Sequence, residues 1–376
     1  MASRPIGLYV HVPFCSAICN YCNFNRGLFD ADLKRRYVRA LVAEIAREGD
    51  RASADTVYFG GGTPSLLDAY EISAIVAACR EAFALSPTAE ITLEVNPETV
   101  TSDTLAGWRD AGVNRLSIGV QSFRDDELRR LGRIHDAARA RHAIDAARAA
   151  GFDNVSLDLM LWLPGQRVAD WLESVEALVD AAPDHASLYL LELYPNAPLR
   201  EDMARAGWSL APDDDAADMY LQGLERLDRA GYEQYEISNV ARPGRQSRHN
   251  LKYWTDGEWH AFGCGAHRTR RGARWKNVAS ASDYVTRVEA GLPVVDERRE
   301  LSVEDRAIEA VITGLRLTRG LAIAGVRAAY GVDVLERWGP AFQPALEAGL
   351  LVSDGRRLSL TRHGMLLANE ILELVV

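Results

Sequence analysis

The sequence has little of what marks a secreted, membrane-spanning or nucleic-acid-binding protein. Its 376 residues contain only five cysteines, three of them clustered, which argues against a disulfide framework and favours a reducing cytoplasm. No apolar run approaches the roughly 20 residues of a membrane-spanning helix. Met1-Ala-Ser-Arg-Pro5 contains neither an apolar signal segment nor an Arg/Ser-rich presequence. The formal charge of −10 argues against nucleic acid and against an anionic membrane surface as partners.

The chain is instead organised around a loop with three cysteines. An apolar run at residues 7–12 predicts a strand that a proline ends, so the loop past its carboxyl end would hold Cys15, Cys19 and Cys22. Three thiolates so close in sequence can share one metal centre. A zinc site would want a fourth ligand, and His11 lies on the wrong side of the proline. An iron–sulfur cluster on three cysteines leaves one iron open to a substrate. A zinc knuckle or reduced core thiols are the alternatives.

Strand and helix patterns alternate through the first half of the chain. Strands are predicted within residues 55–65, 90–97 and 114–123, and at 153–161 and 185–191. Helices are predicted at residues 31–48, from the glycines at 60–62 to about 83, and at 101–111, 136–150 and 168–181. The strands alternate little between apolar and polar residues, which is typical of a buried parallel sheet. Six such units predict an α/β fold, an incomplete (β/α) barrel or an open parallel sheet, with ligands at the carboxyl ends of the strands.

The rhythm changes at about residue 200. A helix is predicted at 216–230, and residues 302–376 look like a separate small domain of helices and a hairpin. Asp354-Gly355, between two apolar runs, is the hairpin signal. The residues there are acidic or apolar as often as basic, which disfavours DNA binding. We therefore divide the chain into a partial barrel at 1–200, a connecting region at 201–300 and a winged-helix-like α+β domain at 301–376.

Several residues at predicted strand ends have the chemistry of a ligand site. Glycines at 60–62, followed by Thr63, let the backbone approach a ligand closely, without forming a dinucleotide fingerprint. Glu94 ends the next strand, where a buried carboxylate is costly unless ligand hydroxyls or a cation such as Arg115 pair with it. Further along, a polar rim for a second nucleotide or a carboxylate-bearing substrate is predicted from Gln121, Arg133 and Asp158.

The cysteine spacing resembles that of radical S-adenosylmethionine (SAM) proteins. Five motifs resemble the oxygen-independent coproporphyrinogen III oxidase-like group of that family, within residues 9–15, 60–65, 117–123, 235–239 and 248–254. The resemblance implies an incomplete (β/α)6 radical SAM barrel. It also implies a [4Fe–4S] cluster on the three cysteines, with the amino and carboxylate groups of SAM on the open iron. The cofactor-binding positions that it implies are Tyr9, Gly61, Gly62, Thr63, Glu94, Gln121, Arg133 and Asp158.

Three features separate this chain from the true oxidases. Phe24 stands where they carry a fourth cysteine, the first strand begins at about residue 6 without their long N-terminal extension, and the segment His249-Asn-x-x-Tyr253-Trp254 marks a related branch of haem chaperones. Resemblance to that branch implies haem binding and delivery to an acceptor protein. It also implies an electron donor such as flavodoxin or ferredoxin, and no coproporphyrinogen oxidase activity.

The 249–254 segment suits haem chemically. Histidine is a common axial ligand of haem iron, so His249 is the predicted ligand, with Tyr253 and Trp254 as flat faces for the macrocycle. Arg248 or Lys252 would meet the propionates. The alternative is a structural loop that docks the C-terminal domain.

A second function also stays open. In it, cluster reduction cleaves SAM to a 5′-deoxyadenosyl radical, as in class C methylase/cyclopropanase-like or coproporphyrinogen III dehydrogenase-like enzymes. The family often has serine where this chain has Arg268 and aspartate where it has Asn23. These departures would fit an offshoot with another substrate.

Overall fold

The computed structural model describes residues 4–376. The sequence predicts no signal segment at residues 1–5, and residues 1–3 of that segment lie outside the described residues. The strands are β1 (Ile6–Val12), β2 (Phe14–Cys15), β3 (Gly27–Leu28), β4 (Ser53–Gly61), β5 (Ala84–Val95), β6 (Arg115–Gln121), β7 (Val155–Leu161), β8 (His185–Leu190), β9 (Glu233–Glu236), β10 (Asn239–Ala241), β11 (Trp259–Phe262), β12 (His267–Arg270), β13 (Ala273–Asn277), β14 (Val295–Glu300), β15 (Leu321–Ala322), β16 (Leu351–Ser353) and β17 (Arg357–Leu360).

The helices match the predicted ones closely where apolar periodicity is strong. They are α1 (Ala31–Glu48), α2 (Ala69–Ala82), α3 (Ser102–Asp110), α4 (Asp125–Arg130), α5 (Ala137–Ala149), α6 (Val168–Ala181), α7 (Pro198–Ala206), α8 (Asp213–Arg229), α9 (Arg248–Trp254), α10 (Ala281–Glu289), α11 (Val303–Leu315), α12 (Ile323–Tyr330), α13 (Val334–Glu347), α14 (Arg362–Leu366) and α15 (Ala368–Glu373). Sequence reasoning missed α4 because five of its six residues are charged, which leaves no apolar stripe to recognise. Between residues 4 and 376, no helix is both long and apolar enough to cross a membrane.

Six parallel strands form the centre of one large sheet. Their order is β1, β4, β5, β6, β7 and β8, each beside the next, with a helix in every crossover. This is the predicted incomplete (β/α)6 barrel. Because parallel strands share one direction, their carboxyl ends meet at one end of the barrel.

The barrel strands have one apolar face and one polar face, so apolar and polar residues alternate along them more strictly than was predicted from the sequence. One face of β1 and β4 is apolar and fully buried, with Leu8 and Val57 as examples. The opposite face of the sheet is polar and lines the barrel interior, where Tyr58 donates to Glu94 across neighbouring strands. The expectation of little alternation was therefore wrong. The inner positions hold tyrosine, glycine and serine. Because these residues are only weakly polar, a strand with one apolar and one polar face was taken for a continuous apolar run.

The middle of the chain extends the sheet at both edges. Strands β10 and β9 continue it antiparallel beyond β8, while β11 lies parallel to β1 and leads to antiparallel β12, β13 and β14. These short strands of three to six residues with mixed polarity gave no clear sequence signal. The division of the chain near residues 200 and 300 stays a prediction.

The C-terminal part is winged-helix-like, as predicted. It consists of helices α11 to α13 and a small sheet of order β15, β17, β16, with β15 between α11 and α12 in the chain. The Asp354-Gly355 pair lies in the hairpin between β16 and β17, and Gly355 has a φ of +78°, in the left-handed region that glycine favours.

Candidate cofactor site at the cysteine loop

The cysteine loop leaves the carboxyl end of β1. The Gly62 N–H donates to Val12 O at 2.8 Å and the Gly27 N–H donates to Pro13 O at 2.7 Å, so both ends of the loop are tied to neighbouring backbone. These bonds place Cys15, Cys19 and Cys22 on the wall of one cavity of about 410 Å³ at the carboxyl ends of the barrel strands.

Three thiols on the wall of one cavity could hold a multinuclear cluster. Among residues 4–376, no three His, Cys, Asp or Glu side chains lie close enough together to hold one metal ion. A multinuclear cluster binds each thiolate through a different iron, so its ligands stand further apart. The other two cysteines are buried in the core, and one of them, Cys264, accepts a hydrogen bond from the Tyr37 hydroxyl at 3.5 Å.

Arg133 provides a positive charge beside this loop. Its Nη1 donates to Cys19 Sγ at 3.4 Å, and its Nη2 donates to Asn96 Oδ1 at 2.8 Å. Its Nε is buried without a hydrogen-bond partner in the described part of the chain. Since buried donors in native proteins normally have partners, this group is suited to a ligand in the cavity.

The glycine turn is packed against the cysteine loop. Gly61 has a φ of +123°, which only glycine adopts readily. A Cβ on Gly62 would lie 2.8 Å from Phe14 O and 3.0 Å from Cys15 Sγ. Because Gly61 and Gly62 have no side chains, the Gly61–Thr63 backbone can line the cavity beside the Cys15 thiol.

Glu94 lies on the inner wall, deep in the same cavity. Its Oε1 accepts from the Tyr58 hydroxyl at 2.9 Å and its Oε2 accepts from the Gly61 N–H at 3.0 Å. It forms no ion pair with Arg115, the cation considered as an alternative partner. Burial raises its pKa to about 7, and the nearby Asp158 adds to the shift.

The predicted polar rim is assembled around this cavity. Gln121, Arg133 and Asp158 all line it. Gln121 holds a φ of +66°, an uncommon conformation for a non-glycine residue. Burial raises the pKa of Asp158, and Ser117 donates to its Oδ1 at 3.3 Å.

Sequence reasoning missed other side chains of the cavity. Asn96 connects two predicted residues, since it donates to Thr63 Oγ1 at 3.1 Å and accepts from Arg133. Its place directly after a strand end was a usable signal. Tyr189 in β8 and Tyr194 just past that strand also line the cavity. For Tyr194 the sequence gives no sign of how the segment after β8 folds back.

Tyr9 does not reach this cavity. Its ring stacks on Tyr58 with centroids 6.1 Å apart, and its hydroxyl shares a 3.2 Å hydrogen bond with His11 Nδ1. It lies inside the barrel, three register positions before β1 ends at Val12. Its role in cofactor binding stays a prediction.

The 249–254 segment lies at the opposite end of the barrel. It forms α9, and His249 is 1% exposed beneath the sheet. Its Nδ1 shares a 2.8 Å hydrogen bond with Thr56 Oγ1, and its Nε2 shares one of 2.9 Å with the Tyr253 hydroxyl. Burial lowers the pKa of this imidazole to about 3. In this arrangement neither ring nitrogen is available to iron.

The cations predicted to meet propionates are also engaged. Arg248 and Lys252 both pair with Asp55, at 3.2 Å and 2.6 Å. At the end of α9, Arg316 lies over the Trp254 ring at 4.4 Å from its centroid. The structure thus joins Trp254 to the C-terminal part of the chain, while the role of the segment in haem binding stays a prediction.

The fold and the three-thiol cavity together define a radical SAM protein. The family model of the radical SAM superfamily matches residues 9–178, and that of the HemN C-terminal domain matches residues 301–367. The solved structure of coproporphyrinogen III oxidase (HemN) from Escherichia coli, described as a radical SAM enzyme, superposes with a TM-score of 0.88 at 24% identity. That match covers 100% of this chain and 91% of the other, and it shows the shared fold.

Relatives that are similar along nearly the whole chain show which family of radical SAM proteins it belongs to. The haem chaperone HemW of Mycobacterium tuberculosis (strain H37Rv) is 38% identical over 381 residues, covering 99% of this chain and 95% of the relative. HemW of Bacillus subtilis (strain 168) is 33% identical over 369 residues, covering 96% and 97%. HemW of Escherichia coli (strain K12) is 34% identical over 379 residues, covering 98% of each. The chain belongs to the HemW family, which confirms the family predicted from its motifs.

Proposed function

We propose that this protein is a haem chaperone that holds a [4Fe–4S] cluster, binds SAM beside it and delivers haem to an acceptor protein. The haem part of the proposal is supported by the names of relatives that are similar along nearly the whole chain. The cluster and SAM part is supported by the cavity in which three cysteines meet a glycine turn and a buried carboxylate.

Different residues around the cavity would hold different parts of the cofactors. Cys15, Cys19 and Cys22 would bind three irons of the cluster, and Arg133 would offset its negative charge. When bound, the cluster supplies an open iron and an electron. An electron donor such as flavodoxin or ferredoxin in the cytoplasm would reduce it.

The opposite wall suits the remaining parts of SAM. Carbonyl groups of Gly61, Gly62 and Thr63 would accept from the methionyl ammonium group, since an ammonium group is a donor only. Glu94 would accept from ribose hydroxyls. Gln121 and Asp158 would complete the polar wall. Bound hydroxyls would also offset the cost of the carboxylate's burial.

We further propose that the protein lacks coproporphyrinogen oxidase activity. The position at which the oxidases carry a fourth cysteine is Phe24, whose side chain is 66% exposed at the mouth of the cavity. A SAM-cleaving enzyme would use the same cavity, so haem binding is the property that separates the two functions.

The test is a haemin titration of the full-length protein reconstituted anaerobically with iron and sulfide. We expect one haem per chain and a Soret band shifted from that of free haemin. The same preparation, given coproporphyrinogen III, SAM and a reductant, should show no turnover. Failure to bind haemin, or turnover of the porphyrinogen, would contradict the proposal.

A further inference from the structure

The turn that follows β11, residues 263–266, packs against the cysteine loop. Strand β11 runs parallel to β1, so the two strands end side by side. On the loop, Asn25 lies three residues after Cys22, and its Nδ2 donates to Cys264 O at 3.2 Å and to Ala279 O at 3.0 Å. The turn lies outside the radical SAM match, which ends at residue 178. A segment remote in sequence therefore holds the loop that carries the three cysteines.

Buried side chains hold this turn in place from the other side. The Tyr37 hydroxyl of α1 accepts from the Cys264 N–H at 2.9 Å. Glu44, one helical face further along α1, accepts from the Gly263 N–H at 2.8 Å. Asn277 donates to Glu44 Oε1 at 2.8 Å and to Gly263 O at 2.9 Å. Because its buried backbone groups are paired in this way, the turn is a fixed surface to which a loop can attach.

The backbone of Asn25 is held as well as its side chain. His11 Nε2 donates to Asn25 O at 2.8 Å, since a carbonyl oxygen can only accept. His11 itself is 6% exposed within β1. Asn25 is therefore tied to the first barrel strand through its carbonyl and to the 263–266 turn through its amide.

Gly265 leaves the space that the Asn25 side chain occupies. Its φ is +65°, and a Cβ built on it would overlap Asn25 Nδ2 and lie 2.9 Å from Asn25 Cγ. Both the conformation and the close approach require glycine here. The Gly-Cys-Gly sequence at 263–265 does not line the cofactor cavity, so its contact with the cysteine loop gives it a purpose.

We propose that Asn25 is a positioning residue for the [4Fe–4S] cluster, with the 263–266 turn as its anchor. The inference rests on the proposed function, because it concerns the cluster of that proposal. Asn25 lies between Cys22 and Gly27, whose N–H closes the loop on Pro13 O. Bonds to both the backbone and the side chain at this point fix the path of the chain that carries Cys22. Partners of this kind orient the ligands of a metal centre and slow its loss.

The first test follows loss of the cluster to an iron chelator in the full-length protein reconstituted anaerobically. Asn25→Ala removes both amide bonds and leaves the backbone in place, so the visible absorption should decay about tenfold faster. The electron paramagnetic resonance line shape of the reduced cluster should change as well, which a purely structural contact would not cause. Ser16→Ala is the control, since Ser16 is exposed beside Cys15 on the same loop, and it should match the parent in both measurements.

A second variant tests whether the turn acts through Asn25. Gly265→Ala places a methyl group against the Asn25 amide, so it should also speed loss of the cluster. In the double variant with Asn25→Ala, the overlapping Nδ2 and Cγ atoms are absent. We therefore expect it to lose the cluster no faster than the faster of the two single variants. Rate increases that multiply in the double variant would show that the two residues act independently and would overturn the anchor.

The outcomes separate this positioning role from the proposed function. If the parent holds the cluster and Asn25→Ala keeps both the rate of loss and the spectrum of the parent, the positioning role is overturned while the proposed function stands. If the parent assembles no cluster, the cluster part of the proposed function fails, and the inference fails with it.

Discussion

At the carboxyl end of the barrel, Arg133 keeps a buried Nε without a described partner and Gln121 holds a positive φ, whereas at the amino end both ring nitrogens of His249 are bonded. The backbone there is satisfied too, because Glu90 accepts from the Arg248 and His249 N–H groups at 3.2 Å and 3.1 Å. Trp254 Nε1 at the amino end is also buried without a partner, and Asp256 there also holds a positive φ. The contrast therefore lies between two side chains, Arg133 with an unused donor and His249 with both ring nitrogens bonded.

The difference teaches that two motifs of one family can serve different purposes. The cysteine loop lines a cavity beside an unused donor of Arg133, whereas His249 in α9 is bonded to Thr56 and Tyr253. The predictions below each act on one end and leave the other as a reference.

The largest expected effect is loss of the cluster. Changing Cys15, Cys19 or Cys22 to alanine removes one of three ligands, so the reconstituted protein should lose its broad visible absorption and its bound iron. Cys79→Ala, in the core, should keep both. Stoichiometric zinc in anaerobically purified parent protein would contradict the cluster assignment.

The next effect is on stability, at the amino end. His249→Ala leaves a cavity and two hydrogen-bonding partners unsatisfied, so the free energy of unfolding should fall by about 2–4 kcal/mol. Denaturant titration measures this. His267→Ala, at an exposed position in β12, is the control and should change stability little. A loss no larger than that of the control would show that α9 does not close the barrel.

The smallest effect is a pH dependence at the carboxyl end. The pKa of Glu94 is about 7 in the folded protein, against an ordinary 4.5, so between these values the folded state holds more protons than the unfolded state. Stability of the SAM-free protein should therefore fall as pH rises through this window, by at most about 1.4 kcal/mol per pH unit from this group. Glu94→Gln should flatten that fall. Identical pH profiles for parent and variant would contradict the assignment.

Much of the site at the carboxyl ends of the barrel strands could be predicted from the sequence. The cysteine spacing, the glycines after β4 and Glu94 at the end of β5 are local signals, and parallel strands bring their carboxyl ends together whatever the details of packing. Tyr9, which the resemblance named, lies within β1 and outside the cavity wall, and its role in cofactor binding stays a prediction.

The contacts at the amino ends of the barrel strands, around His249, could not be predicted from the sequence in this way. The environment of His249 depends on Thr56 and Glu90, which are more than 150 residues away in sequence. Nothing near the motif indicates that both nitrogens are occupied. The same holds for the edge strands β11 to β14, because only the long-range pairing of β11 with β1 attaches them to the barrel.

The account is tested most directly by electron paramagnetic resonance of the reduced, reconstituted protein with and without SAM, in Glu94→Ala and His249→Ala. Each variant removes one buried, hydrogen-bonded side chain from one end of the barrel. SAM should perturb the cluster signal in the parent and in His249→Ala, and should do so weakly or not at all in Glu94→Ala. A normal response in Glu94→Ala together with a lost response in His249→Ala would contradict the division of roles between the two ends.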